Sequence, residues 1–197
     1  SNNGWLSFLN WGLKLVGRNA NKSAKELFDV IQKSHTDKLS GIFLQGVDRY
    51  SGDDYVSGLN GETQIEFSEL HTQYKTVTYD SKGRRQEHWH TIFRGIFFSA
   101  DFNKNFNAKT FVLTDTAEKL FGFLGTKLQK INKSHGSLVK LEDPKFEKKF
   151  VVYSNDQTEA RYLLSPSLMN RIIDFVEKSK KNIQLSFVES RMFIAIP

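Results

Sequence analysis

The sequence predicts an α+β fold: an antiparallel sheet with long hairpins, packed by about three amphipathic helices and preceded by an N-terminal helical segment. From Leu39 to Leu113 the chain reads with the period of two that places alternate side chains on opposite faces of a strand. Two segments, one opening at Ser23 and one at Asp115, set a capping residue three places before a Glu, ahead of apolar stripes at helical period. A helix led by Ser165-Pro166 and a tight hairpin then close the chain.

Taken in order, residues Trp5 to Val16 are apolar on most sides and too short to span a bilayer, which takes roughly 18 or more apolar residues. Trp5, Phe8, Leu9 and Trp11, trailed by Lys14 and Arg18, suit a helix docked on a membrane interface, and the plainer reading is a helix packed on the main domain or on a neighbouring chain. Ser23-Ala24-Lys25-Glu26 caps a second helix whose stripe is Ala24, Leu27, Phe28 and Ile31. Gly41 to Leu44 reads as a short strand and Asp48 to Asp54 as a polar loop. Gln64 to Phe67 and Tyr74 to Tyr79 alternate, Asp80-Ser81-Lys82-Gly83 has turn composition, and Arg84 to Phe98 runs back. That pattern predicts a long hairpin. Asn103, Asn105 and Asn107 mark a loop before a strand at Thr110 to Leu113. Asp115-Thr116-Ala117-Glu118 opens a helix to about Ile131. Leu138 to Leu141 and Phe150 to Tyr153 read as strands around a turn at Glu142-Asp143-Pro144. The Ser165-Pro166 helix runs to about Lys180, and Ile183 to Val188 pairs with Met192 to Ile196 across Glu189-Ser190. The expected division is 1–38 as the N-terminal helical segment and 39–197 as one α+β domain.

A chain of 197 residues buries roughly 70% of the surface exposed when unfolded, so a core forms without staples. The 17 Phe against 3 Pro and 2 Met point to an aromatic-rich β core. The absence of Cys excludes disulfides and thiolate zinc sites and fits a reducing compartment. The formal charge of +6 permits attraction to anionic surfaces. Because the basic residues are dispersed, nucleic acid is not the expected partner.

Several residues are candidates for chemistry. His88 and His90 form the one His-x-His pair; on a strand they share a face about 6.5 to 7 Å apart, close enough to bracket a metal if Glu69 or His71 joined them. The bland alternative is a half-exposed polar face next to Trp89. Asp48, Asp53 and Asp54 cluster in one loop, where Asx turns are the simpler role than a cation site, since the spacing fails the EF-hand pattern. Asp156, Glu159 and Arg161 stand close enough for carboxylate and guanidinium to pair and fix local geometry. No nucleophile elbow, dinucleotide fingerprint or phosphate loop occurs. No metal ligand set, no catalytic residue and no cofactor is therefore assigned, and the balance leans away from an enzyme.

Three blocks stand in a fixed order: Asp48–Gly58 with Phe67-Ser68-Glu69, His90–Phe98, and Asp156–Pro166. Together they resemble the bacterial domain-of-unknown-function family numbered three-one-three-seven, over roughly residues 40–197. The resemblance implies a bacterial protein that often carries membrane helices upstream, with this domain on the cytoplasmic side of the membrane or in the cytoplasm. It brings no activity. The leading expectation is a non-enzymatic binding or scaffolding domain of a membrane-associated protein, whose partner is a protein or a membrane surface and which is compatible with homo-oligomers. The alternatives are a metal-dependent or hydrolytic enzyme using His88, His90 and nearby carboxylates, and nucleic-acid binding through basic helix ends.

Overall fold

A computed structural model describes residues 47–52, 56–114 and 135–197. The expected helices at 5–16, 23–31 and 115–131, and the strand at 41–44, lie outside these residues, as do Trp5, Phe8, Leu9, Trp11, Asp53 and Asp54.

Among the described residues nine strands form one antiparallel sheet: β1 (Arg49–Ser51), β2 (Val56–Asn60), β3 (Thr63–Tyr79), β4 (Arg85–Asp101), β5 (Thr110–Thr114), β6 (Ser137–Val139), β7 (Phe150–Ser154), β8 (Gln184–Val188) and β9 (Arg191–Ile196). Their spatial order is β1-β3-β4-β9-β8-β5-β7-β6, with β2 also on β3. The α+β reading therefore holds. Two corrections apply to the strands. The polar loop expected at Asp48 to Asp54 contains β1, because Arg49–Ser51 find an edge to pair with at His71–Gln73. The two separate alternating runs within 64–79 are one unbroken strand.

Three helices are described: α1 (Pro144–Glu147), α2 (Gln157–Leu163) and α3 (Pro166–Ser179). The cap expected for α3 is present: the Ser165 hydroxyl accepts from Leu168 N, Pro166 occupies the first turn, and Lys180 ends the helix in the left-handed region at φ 55°. The sequence reading passed over α1 and α2. Asp143, read as part of a turn, caps α1 by accepting from Lys145 N at 2.8 Å and Phe146 N at 3.1 Å. Asp156 caps α2 in the same manner, through Thr158 N at 2.8 Å and Glu159 N at 3.0 Å.

These helices cover one sheet face. Phe146 from α1, Ala160 and Leu163 from α2, and Met169, Ile172 and Ile173 from α3 pack with Val112, Val152, Leu185 and Phe187. Phe187 anchors the cluster, with Phe102 and Phe106 each set edge-on to it. The opposite face carries two further buried clusters, Leu70 with Phe93, Phe97 and Phe193, and Phe111 with Leu113, Val151 and Tyr153. With both faces apolar, β5 and β7 read as continuous hydrophobic runs rather than alternating ones, as strands buried on both sides do.

Two polar features pin this sheet. Arg191 on β9 donates to Glu66 Oε2 at 2.7 Å and to Ser99 Oγ at 2.9 Å, linking β3, β4 and β9 across three strands. Ser154 and Thr110 share a hydroxyl pair at 3.1 Å between β7 and β5.

Candidate functional site

β3 and β4 are 17 residues each, about 55 Å at strand rise, and among the described residues other strands flank only their inner parts. β1 and β2 accompany β3 no farther than Gln73, and β9 accompanies β4 over Ile96–Asp101. Beyond that point the two strands continue as a ribbon, Tyr74–Tyr79 against Arg85–His90, in the antiparallel pairing that the alternation predicts. This ribbon is the arm. Its tip is a short loop in which Gly83 N donates to the Asp80 carbonyl at 2.9 Å and Asp80 N donates to the Arg84 carbonyl at 3.0 Å. Gly83 takes φ +74°, the left-handed position that such three-residue hairpin loops require. The Asp80 carboxylate accepts from Lys82 N, Arg84 N and Arg84 Nε at 2.8–2.9 Å. Those donors, the Arg84 backbone N–H first, hold its pKa below the ordinary carboxylate value.

Counting outward from this turn settles which side chains share a face. Tyr74, Thr76 and Thr78 stand opposite His90, His88 and Gln86. Thr76 Oγ1 lies 2.8 Å from His90 Nε2, Thr78 Oγ1 lies 3.1 Å from His88 Nε2, and the Tyr74 and His90 rings stack at 4.8 Å. His71 and Glu69 have the other parity on β3, so their side chains leave by the opposite face. The proposed third ligand therefore does not reach the His88–His90 pair. His71 instead meets Thr91 Oγ1 at 2.9 Å, and among the described residues no three His, Asp or Glu side chains gather as a metal site. Trp89, expected beside the histidines, also points to the other face.

On that second face Lys75, Val77 and Tyr79 stand opposite Trp89, Glu87 and Arg85. The Arg49 guanidinium, brought in by β1, lies 4.2 Å above the Trp89 ring, and Lys75 Nζ lies 5.6 Å from it. Gln73 Oε1 accepts from Arg49 Nε at 3.0 Å and fixes the stack. Glu87 is held by Arg85 at 2.7 Å and by Lys75 at 3.4 Å. Trp89 and Tyr79 nevertheless keep 37% and 69% of their surface exposed, and Val77 39%. This aromatic and cationic face went unremarked in the sequence. Its Lys75–Trp89 half follows from counting off the turn, whereas the arrival of Arg49 depends on β1.

The remaining candidates are structural and separate. Asp48 accepts from Lys75 N at 2.7 Å, clamping the start of β1 to β3. Glu159 and Arg161 do not pair, contrary to expectation, because α2 turns them apart. Glu159 accepts from Asn107 N and Ala108 N at 3.1 and 2.6 Å, while Arg161 donates to the Lys140 carbonyl and Gln157 Oε1, each at 3.2 Å. Asp156 is occupied as the α2 cap. In the groove between β6, β7 and α1 the carboxylate is Glu147, and its Oε1 accepts from Leu141 N.

The family model described as "Protein of unknown function (DUF3137)" matches residues 91–197, just over half of the chain. The chain belongs to the DUF3137 family. The match takes in β5 to β9, the three described helices and the inner part of β4; the block at 156–166 falls inside it, as does the block at 90–98 apart from His90. The whole arm, Tyr74–His90, and the block at 48–58 lie upstream of the DUF3137 match. No curated protein and no solved structure matches the chain.

Proposed function

We propose that this DUF3137 domain is a non-enzymatic binding or scaffolding module of a membrane-associated bacterial protein, and that the β3–β4 arm is its docking element. One observation carries the reading: Trp89 is contacted by the Arg49 guanidinium and the Lys75 ammonium yet keeps 37% of its surface open on the β3–β4 ribbon. Fixed aromatic rings flanked by cations are the residue types enriched where proteins meet partners, since they bury much area at little entropic cost. Membrane association is supported by the +6 formal charge, which favours an anionic leaflet. Among the described residues no helix is long and apolar enough to cross a membrane. The enzyme reading draws no support from the histidines, whose Nε2 atoms are engaged by threonines.

The test is site-specific photo-crosslinking in bacterial cells, with a photoreactive residue at position 79. A discrete adduct to another protein, lost when Trp89→Ala and Arg49→Ala are introduced, is the expected result. Absence of any adduct from position 79, with the chain expressed and folded, would overturn the arm as docking element.

A further inference from the structure

Among the described residues the row beside β4 is only partly filled. β9 pairs with Ile96–Asp101, and among the described residues no strand pairs with that edge over Arg85–Ile92. The side chains of Arg85–Thr91 are exposed throughout. At Gly95 a Cβ would lie 2.0 Å from the Ile196 carbonyl oxygen, so β9 closes tightly onto β4 at that point. An open edge presents backbone N–H and C=O groups ready to pair with another chain, and a two-stranded ribbon is marginal in water until a third strand joins it.

The side chains along this edge select the sign of a partner. Between Arg85 and Gly95 the one carboxylate is Glu87, already held by Arg85 and Lys75. Arg85, Trp89 and Arg94 project from the same face, Arg94 through its pairing with His71, and Arg49 adds a further cation over Trp89. A strand laid beside β4 would set alternate side chains next to this row. Carboxylates there meet guanidinium groups built for bidentate pairing, whereas lysines meet like charge.

We infer that Arg85–Ile92 is a strand-addition site for an extended acidic peptide segment of a partner protein. Main-chain ladder bonds supply the affinity and the Arg85–Trp89–Arg94 row supplies the preference. The inference rests on the arm being the docking element and names what docks there.

The experiment titrates the isotope-labelled chain with a capped decapeptide of alternating Val and Glu, and follows backbone amides by NMR. Controls are the Val/Lys decapeptide, an acidic decapeptide N-methylated at alternate amides, and vesicles rich in anionic phospholipid. The expected result is shifts and slowed exchange confined to Glu87–Ile92 and flanking residues, with the Val/Lys and N-methylated peptides at least about tenfold weaker. Arg85→Glu with Arg94→Glu weakens the acidic peptide roughly five- to tenfold while cross-strand signals from Tyr74–Tyr79 stay in place, so a fold defect is separable. Equal binding of both charged peptides, binding unaffected by N-methylation, edge protection arising from a second copy alone, or arm shifts only with vesicles would each overturn it. Any of these outcomes alongside a protein adduct from position 79 removes the acidic-strand inference and leaves the docking role of the arm standing.

Discussion

Arg191 and Glu66 illustrate how single side chains hold this sheet together. Both are largely removed from solvent, and the guanidinium bridges to β3 and β4 at once. Taking one partner away leaves a poorly hydrated charge, so Arg191→Met should lower stability by about 2–3 kcal/mol in urea unfolding. Adding Glu66→Gln should recover part of that loss, and a sum of the two separate losses would argue against direct coupling. Glu159 acts at longer range in sequence. It caps two amides of the 102–109 loop from α2, and Glu159→Ala should cost roughly 1–3 kcal/mol and speed exchange at Asn107 and Ala108. The sequence shows Glu159 beside Arg161 and suggests that they pair. The Asn107 amide that Glu159 holds and the Lys140 carbonyl that Arg161 meets lie 52 and 21 residues away, which local spacing does not encode.

The elements differ in how plainly the sequence announces them. The β3–β4 and β8–β9 hairpins and α3 are legible because each is bounded by its own signal: a turn with Gly83, a two-residue turn at Glu189-Ser190, and a Ser-Pro cap. β1 and β2 are not, because short edge strands with polar composition exist only by virtue of the strand they lean on. The arm's tip carries a pH dependence of known sign. The Asp80 carboxyl has a folded pKa below its unfolded one, so its contribution is present above the unfolded value near 3.9 and is lost as pH falls through the folded value. Cross-strand NOEs between Tyr79 and Arg85 should persist from neutral pH to about 4 and fade below it, and Asp80→Asn should weaken them without a carboxylate step. At the root of the arm, Gly95→Ala should cost about 1–3 kcal/mol or more, because the added methyl meets the backbone of Ile196 and Pro197 rather than a movable side chain. A melting temperature unchanged in that variant would show that β9 can move aside.

For the molecule as a whole, the arm and the sheet should be separable in energy. None of the side chains from Tyr74 to Thr91 is buried, and all three apolar clusters draw on other residues. Replacing residues 77–87 with Asn-Gly joins Thr76 to His88, which already face each other, and should move the melting temperature by less than about 4 °C. A larger drop would show that the arm supports the core. The sequence conveyed the α+β class and the long hairpin. It did not convey that the hairpin outruns its neighbours, since that depends on where β1, β2 and β9 stop.

The ribbon and the sheet are also out of step by one residue. Thr72 pairs with Phe93 and Gln73 with Thr91, so Ile92 is inserted on one side alone. Were the count from the turn carried inward unbroken, Phe93 and Phe97 would fall opposite His71 and Phe67 and swing to the helix-covered side. The extra residue acts as a phase joint, letting the two halves of one hairpin obey different inside–outside rules. Arm length thereby becomes a dimension that can change in steps of two residues, altering reach without disturbing a single core contact.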